Sequence, residues 1–153
     1  MEIREITTPD EKQRITRFIL ESLPDWFGIP EAREEYIEKS AAQPFFVAFD
    51  GENAVGFLDL AETGKDTAEL CVMGVLKEYH RRGVGKALFA AAKRRAKELG
   101  YLFLQVKTVQ MGKYPEYDAT NRFYLALGFG EFEVFPTLWD EWNPCQIYVM
   151  SLK

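Results

Sequence analysis

Apolar and polar residues alternate along this chain with two different periods, and the switches between them mark out its elements. Glu2 to Ile6 alternates residue by residue and predicts a short strand. Thr8-Pro9-Asp10-Glu11 then resembles a capping box with proline at the first helical position, so a helix is expected to begin there. Ile15, Phe18, Ile19 and Leu23 supply its apolar stripe, and Pro24 ends it, because proline disfavours helical geometry in the residue before it. Asp25 to Pro30 predicts a loop with bulky apolar content, and Glu31 to Ala42 a charge-rich second helix.

From Pro44 the period becomes extended. Phe45 to Phe49, a turn at Asp50-Gly51-Glu52-Asn53, and Ala54 to Ala61 predict a hairpin. A second turn at Thr63 to Asp66 leads into Ala68 to Leu76, completing a three-stranded meander. Gly83 to Leu99 carries Val84, Leu88, Ala91, Ala92, Ala96 and Leu99 at helical spacing, with Gly100 as its C-terminal cap. Tyr101 to Val106 predicts a strand, Ala119 to Leu127 a short helix closed by Gly128, and Phe129 to Phe135 and Gln146 to Leu152 a final strand pair. A strand, a helix and a strand in succession imply one parallel pairing inside an otherwise antiparallel sheet. The expected class is therefore α/β in the mixed, α+β sense, in one domain over residues 1–153, with no repeat, linker or low-complexity tract.

Composition supports one domain and removes several functions. With 153 residues, 47% of them hydrophobic and 14% aromatic, the chain can bury a core of its own. A formal charge of -5 argues against nucleic acid as the partner, since such proteins draw affinity from a basic face. No apolar run approaches the roughly 20 residues a membrane span needs, and the first residues show no hydrophobic leader, so a cytoplasmic protein without a membrane partner is expected. The two cysteines, Cys71 and Cys145, form no Cys-x-x-Cys pair, and the one histidine is His80. No metal site is expected from so few ligands.

The stretch Tyr79 to Leu88, YHRRGVGKAL, sets two arginines and a lysine around two glycines. A strand that passes through a glycine-bearing loop into a helix leaves backbone N–H groups without intrahelical partners, and these attract an anion. Gly83 and Gly85 remove side chains where a diphosphate would approach, and Arg81, Arg82 and Lys86 add whole charges. The stretch matches neither a phosphate-binding Gly-x-x-x-x-Gly-Lys-Ser/Thr loop nor the three-glycine dinucleotide fingerprint.

His80-Arg81-Arg82-Gly83-Val84-Gly85 does resemble the acyl-coenzyme A loop of the Gcn5-related N-acetyltransferase (GNAT) family, whose pattern is Gln/Arg-x-x-Gly-x-Gly/Ala. Asn121 to Phe129, NRFYLALGF, is similar to that family's second signature, and the order of predicted elements is the family's order. The resemblance implies about seven mostly antiparallel strands flanked by about four helices, with a parallel pair splayed around the coenzyme. It implies acetyl-CoA as cofactor and direct transfer of the acetyl group to an amine within a ternary complex. Gly74 and Val75 would pair with the pantetheine arm, and His80, Arg81, Arg82, Gly83, Val84, Gly85 and Lys86 would hold the diphosphate. Histidine at position 80 departs from the pattern, where the backbone N–H is the group that counts. Glu69 would take the proton of the amine, Tyr124 would protonate the departing thiolate, and Asn121 would bond the pantetheine. Cys71 is expected to pack in the core, with no acyl-cysteine intermediate.

The acceptor is less constrained. In the family the first helices and the last strands wall the acceptor site, which points to Trp26, Phe27, Tyr36, Tyr114 and Trp139, with Tyr117 and Trp142 beside them. Glu31, Glu34, Glu35, Glu38, Asp59, Glu62, Asp140 and Glu141 would suit a cationic amine. The segment Gln110 to Tyr117 is expected as a lid. A small-molecule primary amine is the leading acceptor. A protein or peptide amine, and a non-catalytic acyl-CoA sensor, are the alternatives, and the aromatic C-terminal segment is compatible with a homodimer.

Overall fold

The structure, a computed structural model, describes all residues from Met1 to Lys153. A 7-stranded sheet with the order β1-β2-β3-β4-β5-β7-β6 forms its centre. In chain order the elements are β1 (Glu2–Ile6), α1 (Pro9–Glu21), α2 (Pro30–Ser40), β2 (Phe45–Asp50), β3 (Asn53–Gly64), β4 (Thr67–Val75), α3 (Val84–Glu98), β5 (Phe103–Val109), α4 (Pro115–Leu127), β6 (Gly130–Phe135) and β7 (Cys145–Ser151). A single 3-10 turn, Lys77–Tyr79, joins β4 to the loop before α3. Every neighbouring pair is antiparallel except β4 with β5, the parallel pair that the strand–helix–strand succession requires. No helix is long and apolar enough to cross a membrane.

Each sheet face carries its own core. Val84, Leu88, Phe89, Ala92 and Ala96 of α3 join Leu58, Leu60, Leu104, Val106 and Tyr124 on one side. Ile15, Ile19, Leu20 and Leu23 from the α1 region join Phe45, Val47, Phe57 and Val72 on the other. Fully burying such a side chain contributes about 1.5–3 kcal/mol, so the α1 stripe alone anchors that helix firmly.

One expected cap and two boundaries differ from the sequence expectation. Thr8 makes no side-chain capping bond, and Glu11 turns instead toward Arg14 at 4.0 Å. α4 begins at Pro115, four residues before the expected Ala119, because proline fits the first helical position where its missing N–H is no loss. The segment expected as a lid thereby shrinks, and Tyr117 becomes a helical residue. β3 continues to Gly64 through register shifts rather than ending at Ala61.

Candidate active site

The parallel pairing of β4 and β5 is short. Thr67, Ala68 and Glu69 face Phe103, Leu104 and Gln105, and beyond that point the two strands diverge. β4 also bulges here: Asp59 pairs with Val72 and Leu60 with Leu70, leaving Cys71 unpaired. The result is a V-shaped gap in the sheet. The Leu76 N–H donates to the Val55 carbonyl at 2.9 Å, so Gly74, two residues earlier and opposite Phe57, also turns its polar groups toward β3. Met73 and Val75 alternate with them and turn theirs into the gap. Of the two residues expected to pair with the coenzyme arm, Val75 opens its backbone to the gap and Gly74 does not. Gly74 is glycine for another reason: a Cβ there would stand 2.8 Å from Ile19 Cγ2, where α1 packs on the strand. Met73 contributes only backbone, which residue type does not advertise.

At the wide end of the gap the loop before α3 forms a cradle of free backbone amides. Arg81 and Gly83 both adopt positive φ, 62° and 79°, and this alternation curls the backbone so that successive N–H groups converge. The first intrahelical bond runs from Ala87 N to Gly83 O, and the N–H groups of Arg81 through Lys86 have no backbone acceptor. Arg81, Arg82 and Lys86 form no ion pair with any carboxylate; Arg82 lies over the Tyr79 ring at 5.0 Å. The His80 N–H, in contrast, is engaged by the Lys77 carbonyl at 3.1 Å, so this residue's backbone is not part of the cradle. The two glycines also differ in role. Gly83 is required by its φ, whereas a Cβ on Gly85 would meet Phe123 Cζ at 3.0 Å, so Gly85 lets α3 pack against α4.

Glu69 stands where the strands part. Its Oε1 accepts from Gln105 Nε2 at 3.1 Å and pairs with Lys107 Nζ at 3.0 Å, while its side chain is 13% exposed. Gln105 and Lys107, two β5 residues with no apparent sequence motif, thus fix the carboxylate's position. Leu104 and Val106 face the α3 side, so Gln105, Lys107 and Glu69 face the α1–α2 side. Tyr124 comes from α4 on the opposite side and is 7% exposed, and its hydroxyl makes no hydrogen bond within the protein. Burial pushes the Tyr124 hydroxyl well above the usual tyrosine range, and the charges of Tyr36 and Glu69 add to this. Tyr36 of α2 is pushed up to about 12 by burial, with Cys71 and Glu69 reinforcing it. Tyr36 and Tyr124, from opposite faces of the sheet, thus both feel the Glu69 carboxylate.

Residues 12–129 match the family described as Acetyltransferase (GNAT) family. The chain belongs to the GNAT acetyltransferase family. Solved structures agree with this at the level of fold. A GNAT-family protein from Desulfovibrio desulfuricans is 21% identical with a TM-score of 0.81, the match covering 99% of each chain. An aminoglycoside 6'-N-acetyltransferase complexed with coenzyme A is 17% identical with a TM-score of 0.80, over 100% of this chain and 98% of that one. The ribosomal-protein-S18-alanine N-acetyltransferase from Escherichia coli is 18% identical with a TM-score of 0.76, over 99% and 94%. No curated protein matches the sequence.

Against this GNAT framework the remaining expected site residues separate. Asn121 is fully buried and entirely engaged: Nδ2 donates to Val109 O at 2.8 Å and Tyr117 O at 2.7 Å, and Oδ1 accepts from Tyr148 at 2.6 Å. It ties α4 to β5 and β7 and offers nothing to a pantetheine. Trp26, Phe27 and Tyr36 do assemble: Phe27 meets Tyr36 edge-on at 6.2 Å, and Tyr117 donates to the Trp26 carbonyl at 3.1 Å, bridging from α4. Tyr114 adjoins Tyr117 at 5.9 Å. Trp139, 47% exposed in the β6–β7 connection, makes no aromatic pair with this group.

Half of the acidic candidates are taken. Glu34 binds Arg17, Glu35 binds Lys39, Glu62 accepts from Tyr101, and Asp140 is bonded by Asn143 and the Trp142 amide. Cys71 is half-buried at the bulge rather than in the core, and burial, with Asp59 and Glu69 near, pushes its thiol up to about 12. Asp59 is fully buried, with neither carboxylate oxygen hydrogen-bonded. Burial pushes it up to about 8, and the nearby Val72 amide and, less strongly, the Lys12 ammonium offset only part of that.

Proposed function

We propose that this GNAT enzyme moves an acetyl group from acetyl-CoA to a primary amine of a small molecule, directly, within a ternary complex. The cradle of free amides at Arg81 to Lys86, flanked by three unpaired cations, fits a diphosphate in the chemistry of its donors, and the open edge of β4 at Met73 and Val75 fits an amide-bearing arm. Bound acetyl-CoA supplies an activated thioester.

An alkyl ammonium with an ordinary pKa of about 10.4 is almost wholly protonated at pH 7, so a base must take its proton before it can attack. Glu69 is that base. Gln105 and Lys107 both contact Oε1, which leaves Oε2 to receive the proton. Tyr124 keeps its hydroxyl proton across the physiological range because burial disfavours the phenolate, and it is the donor for the departing thiolate. The Cys71 thiol is held protonated for the same reason, which speaks for direct transfer without an acyl-enzyme. Alignment of donor and acceptor in the gap supplies much of the remaining acceleration.

The observation that carries this reading is the Glu69 carboxylate, held by Gln105 and Lys107 at the point where β4 and β5 part, with the free amides of Arg81 to Lys86 at the other end of the gap. The hydrogen bond from Tyr117 to the Trp26 carbonyl ties α4 to the aromatic group of Trp26, Phe27 and Tyr36, which favours a small acceptor over an extended peptide. The test is release of free thiol from acetyl-CoA across a panel of small primary amines and N-terminal peptides, with wild type and Glu69→Gln. Acceptor-dependent release with small amines, lowered about 10²- to 10⁴-fold in kcat/KM by Glu69→Gln, is expected. Turnover with peptides alone would overturn the acceptor class, and an unaffected Glu69→Gln the base.

A further inference from the structure

His80 makes two contacts that holding a diphosphate does not explain. Its Nε2 lies 2.7 Å from the Val75 carbonyl oxygen, and because a carbonyl only accepts, Nε2 carries the hydrogen and donates it. Its ring meets Trp26 edge-on, with centroids 5.7 Å apart and planes at 74°.

The Val75 carbonyl faces the gap, since its neighbours Gly74 and Leu76 pair with β3. A coenzyme anchored by its diphosphate at Arg81 to Lys86, with its thioester near Glu69, must lay its arm along the β4 edge between those two points. That arm carries two amides, and the backbone groups open to them there belong to Met73 and Val75. Both the imidazole and an amide of the arm would reach the Val75 oxygen from the gap side. The histidine side chain therefore stands where the arm must lie.

Resting on the coenzyme reading above, we infer that His80 is an internal occupant of this subsite, displaced by the coenzyme arm, and that its displacement is passed to the acceptor wall through Trp26. Trp26 is well placed to receive it. Lys77, three residues before His80, pairs with Asp25 at 2.7 Å and lies 5.8 Å from the Trp26 ring centre. On the far side the Trp26 carbonyl accepts from Tyr117 of α4. The segment 25–27 is thus held between the coenzyme loop and α4, and the His80–Trp26 contact is the part of that hold that the coenzyme itself would break. His80 is a positioning residue: it takes no part in the acetyl transfer but links occupancy of one subsite to the wall of the other.

His80 is the protein's one histidine, so imidazole resonances in its NMR spectrum arise from this side chain alone. Titration of the full chain with coenzyme A should move the His80 ring resonances away from the hydrogen-bonded position of the free protein. In calorimetry His80→Ala should bind coenzyme A about 3- to 10-fold more tightly than wild type, the equivalent of one competing hydrogen bond removed. The Trp26 indole N–H resonance, assigned with Trp26→Phe, should shift with coenzyme A in wild type and stay in place in His80→Ala. The inference is overturned if the ring resonances do not move at saturating coenzyme A, if His80→Ala binds no more tightly, or if Trp26 responds equally in both proteins. Absence of any binding to wild type would be a different failure, that of the coenzyme reading itself, and would take the inference with it.

Discussion

Replacing Asp59 by asparagine should make the protein more stable at neutral and alkaline pH. Asp59 is fully buried on β3 with both oxygens unbonded, and desolvation raises its pKa from an ordinary 3.8 to about 8. In the unfolded chain the same carboxyl titrates near 4, so between about pH 4 and pH 8 the folded state keeps a proton that the unfolded state has lost. Stability then falls as pH rises through this window, by about 1.4 kcal/mol per unit, and levels off above the folded pKa. At pH 7 the loss is of order 4 kcal/mol relative to pH 4, and asparagine, which does not titrate, escapes it.

Two effects trim the gain. The asparagine amide arrives without partners, at about 1–3 kcal/mol. Lys12, itself buried, loses a nearby counter-charge, although its Nζ keeps the Gln43 carbonyl at 2.7 Å. The net expectation is a variant no more stable than wild type near pH 5 and about 1–3 kcal/mol more stable near pH 8, or roughly 2–12 °C in Tm. Urea unfolding of both proteins over that range checks it, and the difference between them cancels every other titrating group. A difference that stays constant with pH would refute the reasoning and mean that Asp59 ionises normally inside the fold.

Asn121→Ala should destabilise by about 3 kcal/mol, because it leaves Val109 O and the Tyr148 hydroxyl without their buried partner, yet bind coenzyme A as wild type does; denaturant unfolding with calorimetry separates the two. Gly83→Trp should lose the rise in Tm that coenzyme A gives wild type, while its own stability falls only by about 1–2 kcal/mol for a side chain at positive φ. No atom lies within 4 Å of the added Cβ, so the effect on the ligand is obstruction and not misfolding. Tyr124→Phe should lower kcat about 10²-fold or more with coenzyme affinity kept, as steady-state rates and calorimetry on one preparation will show.

The elements and their order were legible because burial of apolar residues depends only on local period: the 2-residue alternation of β4 and the stripe of α3 are visible in any short window. The turn before α3 was legible for a related reason, since a left-handed turn before a helix favours glycine in the chain itself, as at Gly83. Polar partners follow a different rule. Gln105 lies 36 positions from Glu69 and Tyr148 27 from Asn121, and each pair exists only because of a strand register that no local pattern encodes. Hence Asn121 read as a ligand contact when β7 and β5 had already claimed it, and Asp59 read as one more acid suited to a cationic acceptor when its register with Val72 sets it under α1. Gly74 misled in the same way, its missing side chain serving Ile19 across the core. The residues that resisted reading are those whose role is set by what packs against them from a distant element. His80 belongs with them: its identity departs from the family pattern at a point where only the backbone was thought to matter, and the side chain reaches back five residues to the strand edge.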